Sequence, residues 1–321
     1  MAKVVLAFCI YAENPYGDPD LLAKEKPYCS VLDAAVNVGE QLNQCFGNTP
    51  RTYFCTGSHL EALELRAGKE TVKKIYAPGS AEVANHSYSH AAIAKVKGAD
   101  ELYPRKILTP AQITSELKLT NDILTRVFKR KGPFGFSAPC GFSQPLLPSI
   151  TQAIANAGCH YSNSWTRGPR GSYFSKITDT SGTKSALRQP LRYANGLVEI
   201  PLSGWQDVFN FPTWFNMFHG VLFGKRFPRK EKDILAWWDA FLEEAITVSE
   251  QHHKTIALTY MLHPAYLVGI PFIDRWKKEH ITKGYDPHLH VLAQQLDKAK
   301  ASGIRITTAG EIAAQYRKKQ K

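Results

Sequence analysis

Glu82-Val83-Ala84-Asn85-His86-Ser87-Tyr88-Ser89-His90 is the stretch that decides how the rest of the chain is read. Glu82–Asn85 reads as a short strand that delivers His86 to its C-terminal end. His86 and His90 stand four apart, so a helical turn between them would put both side chains on one face. Two neutral imidazoles on one face can hold a divalent metal such as zinc. The spacing alone is weak, because a chain with 11 His yields such a pair readily by chance among surface or core histidines. The flanking segments supply the weight.

Working outward, strands and helices alternate. Strands are expected over Val4–Phe8, Thr52–Thr56, Glu82–Asn85, Phe134–Ala138, His160–Ser164, Leu197–Ile200, Thr255–Leu262 and Ile304–Thr307. Helices are expected over Asp33–Cys45, Glu61–Ile75, Pro110–Lys131, Leu147–Ala157, Glu231–His252, Pro287–Ser302 and Ala309–Arg317. In the third of these helices Ile113, Leu117, Ile123, Leu124 and Val127 form the apolar stripe. This alternation predicts an α/β fold with a mainly parallel sheet, open or closed as a barrel. No repeat and no Gly/Ser linker divides it, so residues 1–321 are expected to form one domain. An aromatic-rich excursion at about 204–230 (Trp205, Phe209, Phe211, Trp214, Phe215, Phe218, Phe223) reads as core or interface packing, with a lid or an oligomer contact as the alternative.

Functional groups of parallel α/β folds collect at the C-terminal ends of strands. Cys9 to Glu13 follows the first expected strand, His86 and His90 the third, Ala138-Pro139-Cys140-Gly141 the fourth, and His263-Pro264 a later one. Two strand-end histidines joined by a third from a distant strand outline a hydrolytic centre.

Composition bounds the function. With 321 residues, 44% of them hydrophobic, the chain can bury a large core, and 21% charged residues exclude a disordered polymer. No apolar run reaches membrane-spanning length, and the N-terminus turns polar too early for a signal peptide, so a cytoplasmic protein is expected. Cys9, Cys29, Cys45, Cys55, Cys140 and Cys159 form no CxxC pair, which fits reduced, mostly structural thiols. The net charge of +12 is spread along the chain beside no nucleic-acid motif. No nucleic-acid partner is expected; the basic residues read as a solvated surface, or as a match to an anionic substrate or lipid surface.

The segments together resemble the polysaccharide deacetylases, the carbohydrate esterase family 4 or NodB-homology fold. Glu82–His90 is similar to the family's HSxxxH-type metal motif. Arg51–Gly57 looks like its second strand, Gly79–His86 like the strand into the metal motif, and Phe136-Ser137-Ala138-Pro139-Cys140-Gly141 like its third motif. Leu197–Pro201 and Met261-Leu262-His263-Pro264 resemble its later motifs, and Ile304–Ala314 its closing strand and helix. The resemblance spans nearly the whole chain and is closest to the branch of cytoplasmic peptidoglycan-deacetylase-like and allantoinase-like proteins. It implies a distorted (β/α) barrel of about seven parallel strands and metal-assisted amide hydrolysis. In that chemistry two His and an Asp hold a metal, usually zinc, which activates water. A second Asp is the base, and a late His protonates the leaving amine. By motif, His86 and His90 would be metal ligands and His263 the general acid.

The first motif departs from the family. Where an Asp-x-Asp is expected after the first strand, this chain has Cys9-Ile10-Tyr11, and the Arg of the third motif is Ser137. Cys9 thus stands for the base and Tyr11 for the third ligand, a thiol and a phenol in place of two carboxylates. Three accounts follow. Glu13, two residues past Tyr11 (or Asp18 or Asp20 in its place), supplies the missing carboxylate. Alternatively Cys9 completes a Cys-His-His site, or the fold survives as a pseudoenzyme that binds carbohydrate or acts as a scaffold. Asp207 is a further candidate base, and Tyr11, Ala138, Pro139, Cys140 and Trp205 are candidate substrate contacts. The resulting expectation is a metal-dependent hydrolase of a non-peptide C–N amide bond. It would remove an acetyl or formyl group from an N-acylated sugar or related small amide, with zinc as cofactor and a homo-oligomeric state as an open alternative.

Overall fold

In the computed structural model β1 (Lys3–Ala12) is an apolar run in which every residue after Lys3 is buried. The structure describes residues 3–13, 19–24, 26–94, 107–139, 145–165, 187–206, 231–264, 271–273, 279–281 and 287–318. A strand buried throughout must be covered on both faces, and its period of two sorts the covers. Val4, Leu6, Phe8, Ile10 and Ala12 join an outer cluster with helix residues such as Leu32, Leu42 and Trp238. Val5, Ala7, Cys9 and Tyr11 join an inner cluster with Phe54, Ala84, Tyr161, Val198 and Met261 from other strands. This is the radial order of a barrel: strands around a packed interior, helices outside.

The chain runs β1, α1 (Pro19–Lys24), α2 (Lys26–Phe46), β2 (Arg51–Cys55), α3 (Gly57–Ala67), α4 (Lys69–Tyr76), β3 (Ala81–Asn85), α5 (Pro110–Phe128), β4 (Phe134–Phe136), α6 (Pro148–Asn156) and β5 (Cys159–Ser162). It continues with β6 (Leu191–Arg192), β7 (Val198–Glu199), β8 (Gly204–Gln206), α7 (Glu231–His252), β9 (Thr255–Leu262), a hairpin of β10 (Pro271–Ile273) and β11 (Glu279–Ile281), α8 (Pro287–Ala301), β12 (Arg305–Thr307) and α9 (Ala309–Lys318). The main sheet has the order β6-β7-β5-β4-β3-β2-β1-β9-β8 and is parallel except at β6. One edge of β1 is taken by β9 from Lys3 to Ile10, so the other is shared, by β12 at Val5–Ala7 and β2 at Cys9–Ala12.

The segment 198–206 closes the ring. Its first part pairs with β5 and continues through Ile200 N to Ser162 O at 2.7 Å and Leu202 N to Trp165 O at 2.8 Å. Its last part pairs with β9, with Ser203 N to Thr259 O at 3.2 Å and Gly204–Gln206 alongside Tyr260–Leu262. The change of partner falls between Leu202 and Ser203; just before it Pro201, which has no N–H to give, accepts at its carbonyl from Thr259 Oγ1 at 2.8 Å. Below it, Gln189 replaces a strand: its amide accepts from Ala257 N at 2.9 Å and donates to Ala257 O at 3.3 Å.

At the opposite end α9 plugs the barrel. Its Ala309, Ile312 and Ala313 enter the inner cluster, while its first amides donate to Thr52 Oγ1 and to the Glu82 carboxylate at 2.9 and 2.8 Å. Glu82, buried in the interior, also accepts from Thr52, Tyr161 and Arg130. It carries structure, although it opens the stretch that holds the histidines.

Boundaries differ from expectation for local reasons. β1 runs on to Ala12, because Cys9 and Tyr11 face an apolar interior. The helix expected at Glu61–Ile75 is two helices, broken at Gly68 with φ 85°. α5 begins with a capping box between Thr109 and Gln112 and Pro110 in its first turn. It stops when Lys129 turns left-handed, three residues before the predicted end. Of the aromatic excursion only the β8 backbone is described; residues 207–230, including Asp207, lie outside the described residues.

Candidate metal centre

The histidine loop leaves β3 at Asn85. The Asn85 Nδ2 donates to Leu117 O at 2.9 Å and Asn121 Oδ1 at 2.8 Å on α5, and its Oδ1 accepts from Ser87 N at 2.7 Å. Ser87 and His90 are both left-handed, with φ 64° and 56°. The Ser87 hydroxyl accepts from His90 N at 3.0 Å, and the first amides of α3, Gly57 N and Ser58 N, donate to Ser87 O and Tyr88 O. Glu116 accepts from Ser89 N and Oγ. The helical turn expected between the histidines is therefore absent. Asn and Ser side chains satisfy the turn instead, and tertiary contacts hold two non-glycine residues in a costly conformation.

This loop brings both rings to Glu13, the first residue past β1. Glu13 Oε2 lies 3.1 Å from His86 Nε2 and 2.7 Å from His90 Nε2. Its Oε1 lies 3.9 Å from His263 Nε2, at the end of β9. Glu13, His86 and His90 offer three ligand atoms within 4.8 Å of one another, the one such group among the described residues. The donor set suits a borderline divalent ion. Tetrahedral bonds of 2.0–2.1 Å place ligand atoms about 3.3 Å apart, within about half an ångström of these contacts. The outer contacts suit one as well: His86 Nδ1 lies 2.8 Å from Ser137 O. A carbonyl only accepts, so Nδ1 carries a proton, and Nε2 is the nitrogen that faces Glu13 and is left to ligate once the ring is neutral.

Cys9 and Tyr11 share the inward face with Glu13 but not its place. Cys9 is fully buried two steps deeper, its Sγ 3.9 Å from Ala7 O. Tyr11 turns its oxygen away from the histidines, to Ser137 Oγ at 2.9 Å and Asn163 Oδ1 at 3.0 Å. Its ring meets His86 edge-on at 4.9 Å, His263 at 5.3 Å and Phe54 at 5.3 Å between centroids. Ser137 Oγ donates to Asn163 O at 2.6 Å, and Asn163 Nδ2 to Ile200 O at 2.6 Å. Beneath the carboxylate the interior thus carries a neutral, satisfied network. Asn163 was not singled out from sequence. Its signal was parity: it stands two residues past inward-facing Tyr161.

The electrostatics follow from burial. Burial would raise the Glu13 carboxyl, but the His90 charge and hydrogen bonds from His86 and His90 hold it well below the ordinary range. Burial, foremost, lowers His86, against the pull of Glu13. Burial also pushes His263 down to about 4. An anionic Glu13 carboxylate beside a His86 imidazole that burial favours neutral gives protonation states that metal ligation needs. The Cys9 thiol is pushed well above its usual value by burial and then by Glu82.

Other candidates lie apart from this cluster. Ala138 and Pro139 are buried after β4, with Ala138 N donating to Ser164 Oγ at 2.9 Å. Asp20 is exposed on α1 and pairs with Lys24 at 3.8 Å. Trp205 contributes its backbone to β8. Asp18, Cys140 and Asp207 lie outside the described residues, and so does the Trp205 side chain. No helix among the described residues is long and apolar enough to cross a membrane.

Comparison with known proteins matches part of the sequence to a family model. Residues 47–162 match the family model for polysaccharide deacetylase. No curated protein sequence matches the chain. An exo-type maltose-forming amylase from Pyrococcus sp. ST04 superposes with TM-score 0.58 at 11% identity, covering 96% of this chain and 48% of that one. The GH57-type branching enzyme of Pyrococcus horikoshii gives TM-score 0.53 at 11% identity, covering 97% and 70%. At such identities the likeness is one of fold alone. The Xyl-CE4 domain of a multidomain xylanase from the hindgut metagenome of Trinervitermes trinervoides matches with TM-score 0.45 and 9% identity over 98% of this chain and 91% of that one. The stretch 47–162, which forms β2 to β5 and carries both histidines of the cluster, is thus the part of the chain that matches the polysaccharide deacetylase family model.

Proposed function

We propose that the chain is a metal-dependent hydrolase of a non-peptide C–N amide bond, removing an acetyl or formyl group from an N-acylated sugar or related small amide. The observation that carries this is the approach of one carboxylate oxygen of Glu13 to His86 Nε2 and His90 Nε2, at 3.1 and 2.7 Å. These three side chains would hold a divalent ion, zinc by the chemistry of the set. Bound there, it would supply a water of lowered pKa and polarise the acyl oxygen.

The chain's own residues divide the rest. Ser137 O fixes the tautomer of His86. Glu13 presents Oε2 to the ligand pair and Oε1 to His263. His263, neutral through burial, takes a proton at Nε2 from the attacking water and returns it to the departing amine nitrogen. It thereby stands in for the aspartate base that Cys9 and Tyr11 cannot replace.

Metal analysis of purified protein is expected to find about one equivalent of zinc per chain, lost in the His86→Ala/His90→Ala double variant. His263→Ala should keep the metal and lose about 10²–10⁴-fold in turnover. Protein that stays metal-free at physiological zinc and turns over no N-acetyl or N-formyl sugar in a panel would overturn the proposal. The burial of Cys9 and the turning away of the Tyr11 oxygen favour a second reading, a carbohydrate-binding pseudoenzyme. Bound metal and bound sugar with no turnover would select it.

A further inference from the structure

Tyr11 occupies the floor between the two halves of the site. It is 4% exposed, and its ring is the surface on which His86 from β3 and His263 from β9 both rest, with centroids 4.9 and 5.3 Å away. Phe54 stacks against it at 5.3 Å. The phenol oxygen is fixed at two points, Ser137 Oγ and Asn163 Oδ1. Ser137 ties the two systems together, since its hydroxyl meets Tyr11 while its carbonyl receives His86 Nδ1. Asn163 in turn is tied to Ile200 O and contacts Thr259 Oγ1 at 3.4 Å, linking the lock to the closing segment and to β9.

We infer that Tyr11 is a positioning residue, neither metal ligand nor substrate contact. Its locked ring sets the separation and tilt of His86 and His263 on either side of Glu13. A locked aromatic ring suits this task because it has few rotamers to lose and presents its edge and face at fixed distances. The lock is neutral: one hydroxyl and one amide hold a phenol, so it adds no buried charge to compete with the Glu13 carboxylate for the imidazoles.

The inference rests on the metal centre proposed above, and the test separates the two. Zinc affinity, the visible spectrum of the cobalt-loaded protein and the thermal midpoint of the metal-free protein are measured for wild type, Tyr11→Leu and Tyr11→Phe. Tyr11→Leu should weaken zinc binding about 10–100-fold, the usual cost of removing an outer-shell partner, and shift the cobalt spectrum. Tyr11→Phe, which keeps the ring but loses both oxygen partners, should fall between Tyr11→Leu and wild type. A lowered thermal midpoint with zinc affinity and spectrum unchanged would mean that Tyr11 is ordinary packing and would overturn the inference. If Tyr11→Leu does not fold, Tyr11→Phe decides: affinity equal to wild type overturns the lock, weaker binding supports it. Wild-type protein that takes up no zinc ends the metal centre and this inference together; wild-type binding with unaltered variants ends this inference alone.

Discussion

Glu13 reaches the histidines because it is the next inward step after Cys9 and Tyr11, at the level where the barrel opens. The Cys9 thiol sits fully buried beside Ala7 O and is held protonated by its surroundings. Removing it should not touch the site. Calorimetric zinc titration is expected to show Glu13→Gln weakened by at least the roughly 10–100-fold that loss of an outer-shell partner alone costs, and Cys9→Ser within about twofold of wild type; the reverse order would make Cys9 the ligand. Parity along one strand was enough to single out Glu13 among the acidic residues after β1. Parity could not choose between Glu13 and Cys9, since both face inward; depth chose, and depth is a property of the closed barrel. The conformation of the His86–His90 loop was hidden for the same kind of reason. Four-residue spacing suggests a helix, whereas the observed turn depends on Asn121, Glu116 and the amides of α3, all distant in sequence.

Among the elements, α3 does the most for the site without contributing a ligand. Its first turn presses on the histidine loop so closely that a Cβ on Gly57 would lie 2.6 Å from the Tyr88 ring and 2.8 Å from Thr120 Oγ1. Gly57→Ala is expected to cost about 1–3 kcal/mol in denaturant unfolding, as overpacking typically does, and to loosen zinc binding because the loop must move away. Unfolding curves that overlay wild type would show that the contact is soft. Most elements were legible from alternation and from punctuation by Pro and Gly. The misread boundaries all have a tertiary cause or a single residue behind them: β1 continues because its outer residues meet helices and its inner ones meet strands, and Gly68 splits one amphipathic run into two helices.

For the whole molecule, acid is the condition that tests how the interior was assembled. His59 is buried on α3 with Nε2 2.6 Å from Tyr76 Oη, and burial lowers it to about 4. The unfolded chain binds a proton at this residue near pH 6.5 and the folded chain only near 4. Its contribution is therefore complete above pH 6.5 and is lost as pH falls from 6.5 toward 4, up to about 3 kcal/mol for this single group. Urea unfolding at pH 7, 6 and 5 should show stability falling with acid, and His59→Gln should flatten that fall; parallel slopes would mean that His59 is hydrated in the folded state. The pairing pattern has a further consequence, in the order of events during synthesis. Glu13, His86 and His90 all lie within the first ninety residues, yet the strands that flank most of β1 come from Thr255–Leu262 and Arg305–Thr307. A nascent chain on the ribosome thus carries every donor long before it owns the walls that aim them, so the geometry around Glu13 is a late acquisition, gained only when the last quarter of the protein arrives.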